Sequence, residues 1–306
     1  MNFDFIYRGE TREIDDEART SAGGAFIRLS DGYTHYEVSG PVAAPSSNGR
    51  AGIEADLPVV LVHGFSVPSF IFDPTFAFLS QAGLRVLRYD LFGRGFSDRP
   101  HVKYNLDLFV RQLKELLDGL GFGGVNLIGL SMGGAISSAF TVNFPERVRR
   151  LVLIDPIGTC PMPLSWMYKA AILPGISELI LGLAGTERMI QGLASDFFDP
   201  EHVKMFQDQY RVQMQYRGFK RAILSTLHSK TVDGFPEIYQ RLGKLGMPVL
   251  LFWGRNDRTL PLEQSRSILS AVPRAQFHIL ENCGHIPHYE KPDELNPILG
   301  QFLNSK

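Results

Sequence analysis

Cysteine is scarce in this chain, and charge of neither sign is in excess. The 306 residues contain two cysteines, Cys160 and Cys283, which are too few for a disulfide framework and lack the paired spacing of a metal site. A single disulfide between the two cysteines is the alternative, but a reducing compartment, in which both stay thiols, is the simpler interpretation. Basic and acidic residues number 31 and 32, a net charge of −1. This balance argues against nucleic acid or an anionic membrane as a partner.

The sequence also lacks a long apolar run and a secretory leader. Its most apolar stretch, from Ala171 to Gly185, is interrupted by Pro174 and Glu178 and is too short to span a bilayer. The N-terminal stretch MNFDFIYRGETREIDDEART is mixed and acidic, without a basic region followed by an apolar run. We therefore expect a cytoplasmic protein with no integral membrane segment.

What the chain does contain is an alternation of apolar runs and helical periods. Hydrophobic residues make up 44 % of it, enough for a sizeable core. The runs at Pro58–Val62, Val125–Leu130 and Leu151–Ile154 are continuously apolar, as in strands that are buried on both faces. Between them apolar residues recur at helical spacing, most clearly from Asn105 to Leu120. This pattern predicts an α/β fold with a mostly parallel central sheet flanked by helices.

The alternation stops at Asp155 and resumes near residue 236. The intervening stretch is helical in character with breaks at prolines, and it holds five of the eight methionines. Strand-like runs return at Pro248–Trp253 and Gln276–Leu280, and a final helix is expected from Pro292 to Leu303. We therefore predict a core of residues 1–155 and 236–306 that is interrupted by a helical insertion at residues 156–235.

The sequence G-L-S-M-G at residues 129–133 fits the pattern G-x-S-x-G. An apolar run, VNLIGL, precedes the serine, and a helix-like stretch of small residues, MGGAISSA, follows it. In this strand–turn–helix setting the motif presents a serine nucleophile, because the tight turn excludes a Cβ two positions before and after the serine. The alternative is a glycine-rich helix start that binds phosphate, but no lysine of a phosphate loop follows. Ser131 is therefore the predicted nucleophile.

A serine hydroxyl needs a histidine to take its proton, and that histidine needs a carboxylate to orient it. Of the eight histidines, His285 lies in a loop between a strand-like run and the final helix, and it is the predicted base. His288 is the nearest rival. Asp257, which follows the strand-like run PVLLFW, is the predicted acid because ligands of α/β sheets collect at the carboxyl ends of strands. Asp155, which ends the run LVLID, is the alternative.

A third part of the predicted site stabilises the negative charge of a tetrahedral intermediate. The oxyanion would be held by the backbone N–H groups of Met132, which follows the nucleophile, and of Phe65, in the loop after a strand. His63, in the same loop, is expected to brace the loop rather than to act as a second base.

In its motifs, the chain resembles the α/β-hydrolase superfamily. VLVHGFS, YDLFGRGFSDRP, GLSMGGAI, WGRNDRTLP and GHIPHYEKP occur in that family's order. The resemblance implies an α/β-hydrolase fold in which residues 156–235 form a helical cap. It assigns Ser131, Asp257 and His285 to the catalytic triad. Asp90, Arg94 and Asp98 match a family loop that we interpret as structural.

Positions near these residues separate the branches of the superfamily. Haloalkane dehalogenases and epoxide hydrolases of this fold use an aspartate where this chain has Ser131. Cofactor-free perhydrolases usually have tryptophan in place of Phe65, and carbon–carbon bond hydrolases of aromatic ring degradation usually have tryptophan in place of Ile286. The resemblance therefore favours the carboxylesterase or lipase-like branch.

From this branch we expect a serine esterase that forms an acyl-enzyme and needs no metal or organic cofactor. Its small-molecule substrate would be a carboxylic ester with an apolar acyl chain of short to medium length. Trp166, Met162 and Ile286 are candidates for the apolar substrate pocket. The alternative is a carbon–carbon bond hydrolase of vinylogous diketo acids, as in meta-cleavage pathways, and a low-turnover ligand receptor is a further one. A homodimer is compatible with these expectations.

Overall fold

A computed structural model describes residues 7, 9–41, 57–161 and 185–305 of the chain. Its centre is an eight-stranded sheet with the strand order β1-β2-β4-β3-β5-β6-β7-β8. Neighbours from β4 onward in this order pair in parallel, whereas β1 with β2 and β2 with β4 pair antiparallel. The strands are β1 Ala25–Arg28, β2 Tyr33–Ser39, β3 Val59–Val62, β4 Val86–Tyr89, β5 Val125–Leu130, β6 Val148–Ile154, β7 Val249–Gly254 and β8 Gln276–Leu280. The predicted α/β fold with a mostly parallel sheet is confirmed.

Helices cover the sheet and form most of the described stretch between β6 and β7. They are α1 Asp16–Ser21, α2 Asp73–Gln81, α3 Leu106–Gly119, α4 Met132–Asn143, α5 Val203–Gln213, α6 Phe219–His228, α7 Pro236–Leu245, α8 Ser265–Ala271, α9 Pro287–Glu290 and α10 Pro292–Asn304. Residues 185–192 are helical as well. Short 3₁₀ turns lie at Ser69–Phe72, Pro145–Arg147, Leu193–Asp196, Pro200–His202 and Leu262–Gln264.

The sequence explains why β5 and α3 take these forms. Every residue of β5 is buried, because a central parallel strand is covered by helices on both faces. In α3 the apolar residues fall on one face and are buried against the sheet, while Asn105 caps the helix by accepting the N–H of Leu108 at 3.0 Å. The carboxyl ends of the parallel strands meet at one edge of the sheet, which is where the predicted site residues lie.

The predicted insertion is described in part. Residues 156–161 and 185–235 belong to it, whereas residues 162–184 lie outside the described residues. Glu10, from the N-terminal segment, accepts the N–H groups of Gly218 and Lys220 at 2.7 Å each and so caps the start of α6. The boundaries at residues 156 and 235 stay a prediction. Within the described ranges, no helix is both long and apolar enough to span a bilayer.

Candidate active site

Ser131 lies in the turn between the end of β5 and the start of α4. Its backbone, at φ 54° and ψ −117°, is in a region that residues with a side chain rarely adopt. A Cβ at Gly129 would collide with the carbonyl of Gly133, and a Cβ at Gly133 would collide with the carbonyl of Val62. Local crowding thus explains the spacing of the two glycines, and it holds the serine in a strained turn at the carboxyl edge of the sheet.

His285 and Asp257 contact each other across the loops that follow β8 and β7. Nδ1 of His285 donates to Oδ2 of Asp257 at 2.7 Å. Oδ1 of Asp257 accepts the backbone N–H groups of Thr259 and Leu260, each at 2.8 Å. Because Nδ1 is engaged by the carboxylate, Nε2 is the ring nitrogen that can accept a proton. Ser131 lies at the same edge of the sheet, although no hydrogen bond joins its hydroxyl to His285 among the described residues.

Burial and charge act in opposite directions on the pKa of His285. Burial of the ring disfavours the protonated form, whereas the charges of Asp257 and Asp196 and the hydrogen bond to Asp257 favour it. The carboxylates prevail, so the pKa of His285 is raised above its ordinary value. A more basic imidazole is better able to take the proton of a serine hydroxyl.

Asp155, the alternative acid, lies beside this pair and is oriented differently. Its Oδ1 accepts the backbone N–H of Gly254 at 2.9 Å, and among the described residues no hydrogen bond joins it to His285. Burial and the charge of Asp257 raise the pKa of Asp155 well above its ordinary value. One ligand-type atom each of Asp155, Asp257 and His285 lies within 4.8 Å of the other two. Since His285 and Asp257 already bind each other, the cluster fits acid–base chemistry better than a metal centre.

The two predicted oxyanion donors have N–H groups that are available. Met132 is the first residue of α4, so its N–H has no acceptor within the helix. Gly64, which precedes Phe65, lies against the nucleophile, because a Cβ at Gly64 would be 3.8 Å from Oγ of Ser131. In the described loops and turns, neither the Phe65 nor the Met132 N–H donates to a backbone carbonyl. Both can therefore donate to an oxyanion that forms at the serine.

His63 fixes the peptide that carries the Phe65 N–H. Its Nε2 accepts the N–H of Leu91 at 2.9 Å, so Nδ1 is the nitrogen that donates to the carbonyl of Gly64 at 3.0 Å. That carbonyl and the Phe65 N–H belong to one trans peptide, so the orientation of one sets that of the other. Burial lowers the pKa of His63 to about 4, which keeps the ring neutral and preserves this tautomer near neutral pH.

Arg94 supports the same loop through the carbonyl of Phe65. Its Nε donates to the carbonyl of Phe65 at 2.8 Å, and its Nη2 donates to the hydroxyl of Thr226 in α6 at 2.9 Å. The guanidinium is fully buried, and burial lowers the pKa of Arg94 to about 10. Arg94 therefore connects the predicted oxyanion loop to a helix of the predicted insertion.

Two acidic residues without a predicted role hold the loop of His285: Asp196, which lies outside every quoted motif, and Glu290, which lies in GHIPHYEKP. The carbonyl of Asp196 accepts the N–H of His285 at 2.7 Å, and its carboxylate accepts the hydroxyl of Thr259 at 2.5 Å. Glu290 accepts the N–H of Gly284 at 2.6 Å through Oε2. Asp196 and His285 are far apart in sequence, and an acidic residue in an exposed segment carries no sequence signal for such a role.

The predicted pocket residues are described unevenly. Ile286 is 2 % exposed and is adjacent in sequence to His285. Met162 and Trp166 lie outside the described residues, so their place in the pocket stays a prediction. Both cysteines are free thiols; Cys160 is exposed and Cys283 is buried.

Residues 59–298 match a family model that is described as the alpha/beta hydrolase family. The chain belongs to the alpha/beta hydrolase family. The superfamily predicted from the motifs is therefore confirmed, and the protein is a hydrolase.

Similar proteins correct the expectation about the reaction of this hydrolase. A 2-hydroxy-6-oxononadienedioate/2-hydroxy-6-oxononatrienedioate hydrolase of Klebsiella pneumoniae is 33 % identical over 230 residues, which are 74 % of this chain and 78 % of that protein. A hydrolase of the same name from Escherichia coli is 31 % identical over 267 residues, 82 % of this chain and 88 % of that protein. The expectation of a carboxylesterase is wrong, because these relatives are named for unsaturated oxo acids and match the alternative.

A solved structure supports the fold of this hydrolase. The meta-cleavage product hydrolase of Pseudomonas fluorescens superposes with a TM-score of 0.75 and covers 93 % of this chain and 98 % of its own. At 24 % identity, this similarity speaks for the fold alone. Ile286 in place of tryptophan therefore does not separate the two branches, whereas the similarity over most of the chain favours the alternative.

Proposed function

We propose that this hydrolase cleaves a carbon–carbon bond in vinylogous diketo acids of the kind formed by meta-cleavage of aromatic rings. The observation that carries the proposal is the 33 % and 31 % identity, over most of the chain, to hydrolases of 2-hydroxy-6-oxononadienedioate. The contact between His285 and Asp257 supports it, because an oriented imidazole is what activation of a serine requires.

In the proposed mechanism Ser131 is the nucleophile. Nε2 of His285 takes the hydroxyl proton, and the serine oxygen attacks the ketone carbon next to the bond that breaks. The N–H groups of Phe65 and Met132 donate to the resulting oxyanion, while Asp257 stabilises the imidazolium.

Collapse of this intermediate breaks the carbon–carbon bond and leaves the acyl group on Ser131. The substrate reacts as its keto tautomer, in which the proton of the 2-hydroxyl group has moved to C5. The electron pair of the broken C5–C6 bond therefore passes into the conjugated 2-keto acid, which becomes a dienolate and receives the proton held by His285. A water molecule then gives a proton to His285 and its oxygen to the acyl carbon, and Ser131 regains its proton as the carboxylic acid leaves. The net reaction adds one water across the carbon–carbon bond.

The proposed reaction requires a conjugated substrate, because its leaving group is a carbon atom. An isolated carbanion is a poor leaving group, whereas the vinylogous keto acid spreads the charge onto oxygen. The protein groups of this mechanism therefore act on the attacked carbonyl and on the proton, and the substrate itself supplies the electron sink.

The proposal is tested with 2-hydroxy-6-oxononadienedioate as substrate. The dienol chromophore absorbs in the visible or near-ultraviolet region, and its loss together with release of the carboxylic acid product reports cleavage, because ketonisation alone also removes the chromophore. We expect turnover of about 1 s⁻¹ or faster. A chromophore that persists in the presence of folded protein contradicts the proposal. Loss of only one equivalent per protein chain would instead indicate a receptor with little turnover.

A further inference from the structure

Asp155 and Asp257 are buried carboxyl groups that follow neighbouring strands, β6 and β7. Asp155 is 0 % exposed, and so is the side chain of Asp257. An oxygen of each lies within 4.8 Å of the other and of a ring nitrogen of His285. Within the described ranges, neither carboxyl forms an ion pair with a lysine or an arginine. Two negative charges at this distance repel each other strongly in a buried site, so the pair is more stable with one proton bound.

The hydrogen bonds decide which carboxyl group holds that proton. Both oxygens of Asp257 already accept N–H donors, Oδ1 from the backbone and Oδ2 from His285. Asp155 accepts one N–H, through Oδ1, whereas its Oδ2 is buried and has no hydrogen-bond partner. An ionised oxygen there would be unsatisfied, whereas a carboxyl O–H at that oxygen becomes a donor. The carboxylate of Asp257, which has an oxygen within 4.8 Å of an oxygen of Asp155, can accept it.

The backbone conformation of Asp155 also indicates that this residue has a role in the site. Its φ is 40°, a left-handed conformation, as is the φ of 54° at Ser131. The adjacent strands β5 and β6 are therefore each followed by a strained residue that has a side chain, and such residues cluster at functional sites. Aspartate and asparagine adopt this region more readily than most other residues.

We propose that Asp155 is a positioning residue whose neutral carboxyl group donates a hydrogen bond to the carboxylate of Asp257. The inference rests on the proposed roles of Asp257 and His285. Asp257 then accepts hydrogen bonds from the backbone N–H groups of Thr259 and Leu260, from His285, and from Asp155 at the end of β6. Because the donated bond withdraws charge from the carboxylate, Asp257 raises the proton affinity of His285 less than it would without that bond.

Infrared spectroscopy tests the protonation state without any turnover, so its result is independent of the proposed reaction. In the difference spectrum of wild type minus Asp155→Asn near neutral pH, the carbonyl stretch of a protonated carboxyl group should appear. The difference removes any band of the other buried carboxyl groups whose pKa is raised, Glu10 and Asp196. Asparagine tolerates the same backbone conformation, so this variant is expected to fold. Glu10→Gln is the matched control: the pKa of Glu10, a buried carboxyl outside the site, is also raised by burial, and its loss should leave the Asp155 band in place.

Kinetics on the same substrate then test the positioning role. Asp155→Gly accepts the positive φ but removes the donor, and we expect kcat/KM to fall by about 10- to 100-fold. The acid limb of its profile of kcat/KM against pH should move to higher pH, because the carboxylate of Asp257, no longer sharing its charge with a donor, favours the protonated form of His285 more strongly. Asp155→Asn retains a neutral donor and should show a smaller loss and a smaller shift. A difference spectrum without a carboxyl band, or equal shifts of the acid limb in the two variants, would overturn the proposal.

Discussion

The backbone N–H of His285 donates to the carbonyl of Asp196 at 2.7 Å. Asp196 belongs to the predicted insertion, so a segment from outside the sheet core holds the main chain of the predicted base. The contact is close, because a Cβ at Gly284 would lie 2.9 Å from the backbone nitrogen of Phe198 in the same segment. The position of His285 therefore depends on how this segment sits on the loop after β8.

Glu290 completes this connection and gives a first prediction. Its Oε1 accepts the N–H groups of Phe198 and Asp199 at 2.7 and 2.9 Å, and its Oε2 accepts that of Gly284. In Glu290→Gln one oxygen is replaced by an NH₂ group that faces N–H donors. We expect a loss of about 1–3 kcal/mol in the free energy of unfolding, together with a lower kcat.

Urea unfolding and steady-state kinetics measure these two effects. Glu294→Gln is the matched control, because Glu294 is an exposed residue one turn further along the chain. Its kcat and stability should stay at the wild-type values. Identical behaviour of the two variants would show that Glu290 does not hold the His285 loop.

Replacement of the nucleophile gives the second prediction. Ser131→Ala should lower kcat by at least about 10⁴-fold while the melting temperature is retained, because alanine cannot form the acyl intermediate. The rate at which the carboxylic acid product is released measures it. Ser137→Ala, which removes a buried hydroxyl without a hydrogen-bond partner, should keep full activity. Activity of Ser131→Ala within tenfold of wild type would remove Ser131 from the role of nucleophile.

The third prediction compares the two aspartates at the sheet edge. Asp257→Asn should reduce kcat by about 10⁴-fold, because an amide favours the wrong tautomer of His285. Asp155→Asn should cost far less, since Asp155 makes no hydrogen bond to the ring among the described residues. The comparison uses kcat of both variants under one set of conditions. Equal losses, or the reverse order, would reassign the acid.

The fourth prediction concerns the dependence of stability on pH. His288 is fully buried, and burial lowers its pKa from 6.5 to about 3. Between these values the unfolded chain binds a proton that the folded chain does not, so the contribution of neutral His288 is complete above pH 6.5 and is lost as the pH falls. We expect the loss of this contribution to lower the free energy of unfolding by about 1–2 kcal/mol from pH 6.5 to pH 5.

Urea unfolding over this pH range checks the contribution of His288. His288→Gln can still donate to the carbonyl of Ile71 but does not titrate, so its stability should fall less steeply with decreasing pH. His101→Gln, at an exposed histidine, is the control and should keep the wild-type slope. The same slope in both variants would contradict the assignment.

The sheet and the predicted nucleophile could be derived from the sequence because their causes are local. Apolar runs such as Val125–Leu130 indicate strands that are buried on both faces, and the structure has that strand at the same bounds. Glycines at fixed spacing around Ser131 reflect crowding within a few residues. The reaction was not predicted correctly, since Phe65 and Ile286 are single positions and do not by themselves distinguish ester from carbon–carbon chemistry.

By itself the sequence determined the alternation of strands and helices, the turn at Ser131 and the candidates for base and acid, all of which follow from periodicity and nearby sterics. Only the tertiary structure decided that His285 contacts Asp257 rather than Asp155, because both aspartates end buried strands and differ in where the side chain points. It also decided that Asp196 and Glu290 hold the loop of His285. Such contacts join segments that are distant in sequence, and their geometry exists only once the sheet has brought the strand ends together.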